Sequence, residues 1–135
     1  MNPEEIGKHL RYAHFWVGMF AGTRDEFAKC FDLTSYYNAE EGQPYEQCAF
    51  SAYLNEEAHS EDIMQWNFSN DGWDALLSDE FVGPKLAERI RKECSGRGIA
   101  TANAAIMYGA IHLPSTDGIA DSFAGLCYIG RFKFR

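Results

Sequence analysis

The sequence predicts an α+β fold, a single domain over residues 1–135 with a mainly antiparallel sheet and helices packed on one face. Strand-like runs open and close the chain and helical patterns fill its middle, so the steady strand–helix alternation of a parallel α/β protein is missing. In the last run Leu126, Tyr128, Gly130, Phe132 and Phe134 alternate with Cys127, Ile129, Arg131, Lys133 and Arg135, the period of a strand with a core side and a wet side. Length supports the same reading. At 135 residues, 46% of them hydrophobic and 15% aromatic, the chain can bury a core without a metal or disulfide staple.

Tyr12 to Phe20 is an aromatic and β-branched run, which fits a strand buried on both faces or nearly so. Ala21-Gly22 breaks it. Thr23 stands three residues before Glu26, the spacing of a capping box, and Phe27, Ala28 and Phe31 give the following helix an apolar face. Asp32 to Pro44 is polar and turn-forming, a loop partly pinned by Tyr36 and Tyr37. In Tyr45 to Leu54 the apolar residues Ala49, Phe50, Tyr53 and Leu54 recur at helical spacing. Ile63 to Phe68 is a short apolar segment between acidic flanks, and the turn Asn70-Asp71-Gly72 leads to Trp73, Leu76 and Leu77 in helical register. Gly83-Pro84 opens a helix through Cys94 with an inward stripe of Leu86, Ala87 and Ile90, ended by Ser95-Gly96-Arg97-Gly98. Ala104 to Leu113 and Leu126 to Phe134 read as two late strands joined through a Pro114–Gly118 turn.

The most informative feature for function is charge. The chain carries 12 basic and 20 acidic residues, a net charge of −8. Between Lys29 and Lys85 lie Asp32, Glu40, Glu41, Glu46, Glu56, Glu57, Glu61, Asp62, Asp71, Asp74, Asp79 and Glu80 and not one lysine or arginine, which leaves the rest of the chain with 8 acids against all 12 bases. Such a field favours encounter with a basic partner and repels nucleic acid and anionic membranes. Tyr36, Tyr37, Tyr45, Tyr53, Trp66 and Trp73 fall in the same segment. Rings that lose water on contact provide affinity and the carboxylates provide steering, so the candidate partner-binding residues are Tyr36, Tyr37, Glu40, Glu41, Tyr45, Glu46, Glu56, Glu57, Glu61 and Asp62. Trp66 and Trp73 fit the core as well as a contact surface. The plainer account of the acids is a solvated surface.

Other chemistry is thinly represented. There is no glycine-rich phosphate loop, His-Glu-x-x-His, Gly-x-Ser-x-Gly or dinucleotide fingerprint. Cys30, Cys48, Cys94 and Cys127 lack Cys-x-x-Cys spacing and read as free thiols. Cys30 near a helix C-terminus has no dipole to lower its pKa. His14 and His112, both in strands, read as satisfied structural histidines rather than a metal pair. The alternative function is a small metal-dependent or carboxylate-based enzyme using Glu56, Glu57, His59, Glu61 and Asp62, residue types that can ligate a divalent ion or form an acid/base pair. With early acids at Glu4 and Glu5, no signal-like apolar run and no stretch approaching eighteen apolar residues, the expected location is the cytoplasm.

At three places the chain resembles the immunity protein 22 family of bacterial polymorphic-toxin systems. His14-Phe15-Trp16-Val17-Gly18-Met19-Phe20 followed by Thr23-Arg24-Asp25-Glu26-Phe27 is similar to the family's opening strand and helix. Ala102-Asn103-Ala104-Ala105-Ile106 is similar to its asparagine-led late strand, and Tyr128-Ile129-Gly130-Arg131-Phe132 to its closing strand. The middle, about Asn38 to Pro84, departs from the family's pattern. The resemblance implies one α+β domain, encoded beside a toxin, that binds the toxin's catalytic domain and blocks it, with no catalysis and no cofactor. Joined to the charge reading, it gives an expected partner: the basic catalytic domain of a cognate toxin, with the oligomeric state left open.

Overall fold

A computed structural model describing residues 2–134 sets the run Tyr12–Gly18 (β1) at the centre of a five-stranded antiparallel sheet. Before it comes α1 (Pro3–His9). After it follow α2 (Arg24–Lys29), α3 (Thr34–Asn38), α4 (Ala49–Tyr53), β2 (Met64–Phe68), α5 (Trp73–Leu76), α6 (Pro84–Gly96), β3 (Ala104–Gly109), β4 (Ser122–Phe123) and β5 (Leu126–Lys133). The strand order is β2-β3-β1-β5-β4, and each neighbouring pair runs antiparallel. The predicted α+β class is the observed one.

The helices, expected on one face, divide between two. Ala13, Phe15 and Val17 of β1 join Ala105, Met107 and Ile129 against Leu86, Ile90 and Cys94 of α6. Trp16 on the opposite side joins Ala104, Ile106, Tyr108 and Leu126 against Phe27 and Phe31 beside α2 and Phe50 and Leu54 beside α4. The cause is in β1 itself: Ala13, Phe15 and Val17 on one side and Trp16 on the other are large or wholly apolar, so both sides need cover.

The last strand also differs from a simple alternation. Phe15 pairs with Gly130 but Trp16 with Tyr128, so Ile129 is an extra residue in β5. The slip turns every later side chain over. Leu126 and Tyr128 pack with Trp16, whereas Ile129, Phe132 and Phe134 pack with Phe15. Gly130, at φ +116°, takes the backbone conformation that a side chain would resist.

Local signals explain most of the remaining elements. The Thr23 hydroxyl accepts from Glu26 N–H at 3.2 Å and the Glu26 carboxylate accepts from Thr23 N–H at 2.9 Å, the predicted capping box of α2. The predicted loop from Asp32 contains α3, whose Thr34 N–H and hydroxyl both donate to the Asp32 carboxylate. The helix expected from Tyr45 starts only at Ala49, and the strand expected to reach Leu113 stops at Gly109 in a turn closed by His112 N–H on Gly109 O. Asn103 holds the exit from β1: its Oδ1 accepts from Phe20 N–H at 2.8 Å and its Nδ2 donates to Phe20 O at 3.0 Å.

Gly18 supplies a local test of this packing. A Cβ built there would lie 2.5 Å from Gly125 O and 2.9 Å from Leu126 Cα, both fixed backbone atoms. Gly18→Ala should therefore cost about 1–3 kcal/mol by forcing β1 from the β4–β5 turn. Urea denaturation beside Gly96→Ala, whose added methyl meets nothing within 4 Å, checks it: equal midpoints for the two variants would contradict the close approach.

Candidate functional site

Three tyrosines brought together from opposite ends of one loop form the centre of the site. Tyr36 and Tyr37 lie on α3, the chain turns through residues 40–43, and Tyr45 returns beside them. Tyr36 meets Tyr45 edge-on at a centroid distance of 5.1 Å and Tyr37 at 5.5 Å. Glu46 N–H donates to the Ser35 hydroxyl at 2.8 Å and so ties the returning strand of the loop to α3. Two hydroxyls then reach across to the segment after α4: Tyr37 donates to Glu61 Oε1 at 2.8 Å, and Tyr45 to Glu57 O at 3.3 Å.

Tyr37 is 63% exposed, one of few large apolar side chains left to solvent, while Tyr36 and Tyr45 are half-buried. The bond to Glu61 raises the Tyr37 pKa, with partial burial and the Glu61 charge adding to it. Partial burial, then the Glu57 charge, raises that of Tyr45. Both phenols remain neutral donors at ordinary pH. The arrangement is a ring cluster bordered by carboxylates that pair with no lysine or arginine among the described residues.

The sequence-predicted site residues separate into groups. Tyr36, Tyr37, Tyr45, Glu57, Glu61 and Asp62 come together, with Asp62 close enough to act on the Tyr37 charge. Glu40 and Glu41 are exposed in the turn beyond the tyrosines. Glu46 lines a different surface groove, with Lys29, Asp32 and Gln47. Glu56 points inward: it is half-buried, its Oε1 is buried with no hydrogen-bond partner among the described residues, and burial raises its pKa, opposed by the neighbouring Tyr108 hydroxyl. Later acids lie elsewhere, Asp74 and Asp79 beside α6, where Asp74 meets Arg91 at 3.6 Å. Among the described residues the only other ion pair is Arg97–Glu93, so the acids around the tyrosines are not neutralised from within.

The segment's other polar groups are structural in geometry. His59, 3% exposed, shares a 2.7 Å hydrogen bond between its Nδ1 and the Ser51 hydroxyl, which also accepts His59 N–H at 2.9 Å and contacts Cys48 Sγ at 3.1 Å. A Cys, a Ser and a His in contact have the composition of a nucleophilic site. Ser51 has no exposure, however, and Cys48 has 8%, so neither side chain is presented to solvent as a nucleophile would need. Sequence reading missed this cluster because spacings of three and eight residues resemble any other pair. Glu61 lies near enough for its charge to act on His59, but among the described residues no three His, Cys, Asp or Glu side chains are grouped as a metal would need. Trp66 stacks on Phe31 at 5.8 Å and Trp73 donates to Ala100 O at 3.1 Å, both half-buried. His14 and His112 bond different partners, His14 to Tyr128 and Leu113 O, His112 to Ser60. Burial raises the Cys30 pKa and carries that of Cys94 up to about 11, so neither is an activated thiol.

Among the described residues no helix is long and apolar enough to cross a membrane. Comparison of the chain with protein families, curated proteins and solved structures finds no match.

Proposed function

We propose that this chain is an immunity protein, a cytoplasmic antitoxin that binds the basic catalytic domain of a cognate polymorphic toxin and blocks it by occupying its active-site cleft. The observation that carries the reading is the tyrosine cluster, in which exposed Tyr37 is held by Glu61 and bordered by Glu57 and Asp62, with no lysine or arginine among the described residues paired to these acids. Carboxylates placed this way stand where an anionic substrate's charges would, and they accelerate encounter. The rings lose water on contact and set how long the complex lasts. The resemblance of the β1–α2 segment, Ala102–Ile106 and Tyr128–Phe132 to the immunity protein 22 family supports the same reading.

Co-expression with the toxin domain encoded beside this chain, followed by co-purification and stopped-flow association, tests it. Glu61→Lys combined with Asp62→Lys should slow association about tenfold at low salt and flatten its dependence on ionic strength. Tyr37→Ala should instead speed dissociation by roughly tenfold with little change in association. Wild-type association that ignores salt would remove the steering role, and a toxin domain that does not co-purify would remove the reading altogether.

A further inference from the structure

The sheet has two edges, and only one is protected. On one side β4 is two residues long and covers only Leu126 and Cys127, and the remaining edge is β5, where the bulge at Ile129 and the charges of Arg131 and Lys133 discourage pairing. β2 is five residues, Met-Gln-Trp-Asn-Phe, with no proline, charge or bulge to discourage pairing. Its register decides which backbone groups face outward. Gly109 N–H donates to Ile63 O and Ser69 N–H to Asn103 O, so with Gln65 opposite Met107 and Asn67 opposite Ala105 the odd residues bond β3. The even residues point away from the sheet. Phe68 O is taken by Arg24 Nη1 at 2.8 Å, but the N–H and C=O of Met64 and of Trp66 have no partner among the described residues.

This free edge is the floor of a groove of about 470 Å³, walled by Ala28 and Phe31 on one side and by Ser78, Glu80 and Phe81 on the other. Among the described residues the charged ones lining it are Glu61 and Glu80, the adjoining hollow past Ile63 adds Asp62, and the Arg24 guanidinium sits beside it, 5.4 Å from the centre of the Trp66 ring. His59 also lines it, with Nδ1 held by Ser51 and Nε2 unpartnered among the described residues. Burial, opposed by the Glu61 charge, lowers the His59 pKa, which favours the neutral ring.

We infer that β2 is a docking edge that takes an extended, cationic peptide segment of the partner as a sixth strand. The backbone of Met64 and Trp66 supplies up to four hydrogen bonds, and lysine or arginine side chains on the added strand reach Glu61, Asp62 and Glu80. Pairing of two copies of this chain through the same edge would juxtapose molecules each of net charge −8, which favours a basic partner over a second copy. The inference deepens the toxin-blocking reading and rests on it for the partner's basic character. Glu61, which holds Tyr37, belongs to both surfaces.

The test uses the purified chain and a fluorescent nine-residue peptide alternating lysine and valine, compared with the same peptide N-methylated at alternate residues and with a glutamate–valine version. Saturable binding of the lysine peptide, largest amide shifts at Met64 and Trp66, at least tenfold weaker binding of the N-methylated peptide and no binding of the glutamate peptide are the expected results. Met64→Pro, which removes an outward donor, should weaken the lysine peptide at least tenfold; should that variant not fold, the N-methylated peptide carries the comparison alone. Equal binding of methylated and unmethylated peptides, shifts elsewhere, no binding at all, or a β2-dependent dimer in light scattering would each overturn the inference. A folded Met64→Pro protein that still binds the toxin domain like wild type would overturn strand addition and leave the toxin-blocking reading standing. Failure of wild type to bind the toxin removes that reading while the peptide result still decides the edge.

Discussion

Replacing Trp16 with alanine should lower the unfolding free energy by about 3–5 kcal/mol, the range for deleting a buried tryptophan. Trp16 has no exposure and is ringed by Tyr128, Phe50 and Tyr53 at centroid distances of 5.2, 5.8 and 6.0 Å. Its indole N–H donates to the Tyr53 hydroxyl at 2.9 Å, and that hydroxyl in turn donates to Ala120 O. Alanine thus opens a cavity among these rings and removes the donor that holds the half-buried Tyr53 hydroxyl. Trp16→Phe keeps much of the ring contact and should cost less than half as much. Because Phe50 and Tyr53 belong to α4, the loss should reach the tyrosine site through the segment that carries Glu57 and Glu61. Equilibrium denaturation in urea measures the effect; a Trp16→Ala cost below about 1 kcal/mol would mean that this face of the core is loosely packed.

The second large effect is a loss of stability in mild acid. His14 is 1% exposed, with Nε2 donating to Leu113 O at 2.6 Å and Nδ1 accepting from the Tyr128 hydroxyl at 2.8 Å. The carbonyl fixes a proton on Nε2, and with the ring neutral the hydroxyl donates to Nδ1. Burial, aided by the Arg131 charge and opposed by the Leu113 bond, lowers its pKa from 6.5 to about 4. Between those values the unfolded chain binds a proton that the folded chain does not, so stability is complete above pH 6.5 and falls as pH drops toward 4. At about 1.4 kcal/mol per pKa unit the loss approaches 3 kcal/mol. His59, lowered in the same direction by burial, adds to the slope. His14→Gln, whose amide can still donate to Leu113 O, should remove most of the fall between pH 6.5 and pH 5, where carboxylates contribute little. Urea midpoints at half-unit steps check this; identical slopes in variant and wild type would assign the titration to another group.

Particular residues show what could be read in advance. The Thr23–Glu26 cap, the Pro84 start of α6 and the burial of β1 on both faces depend on neighbours within one turn or on composition, and they are visible without coordinates. The β5 bulge was not, because an alternating sequence looks the same whether or not one residue is skipped, and only pairing with β1 reveals the slip. Glu56 and Glu57 are adjacent acids with opposite fates. Asn55, at φ +60°, turns the chain after α4 so that one carboxyl enters the core beside Tyr108 and the next stays in water. The Tyr36–Tyr45 contact spans a loop with no periodicity to betray it.

The amino-acid order by itself determined the α+β class, the nature of β1 and the existence of a long acidic, aromatic segment, since each follows from local pattern or composition. Only the tertiary structure decided that this segment divides, with the tyrosines gathering Glu57, Glu61 and Asp62 while Asp74 and Asp79 go to α6, and that β2 is left at an open edge. Charge is additive along a chain. Position on a surface is not: it depends on which strands pair and which loops fold back, and those are set by contacts between residues far apart in sequence.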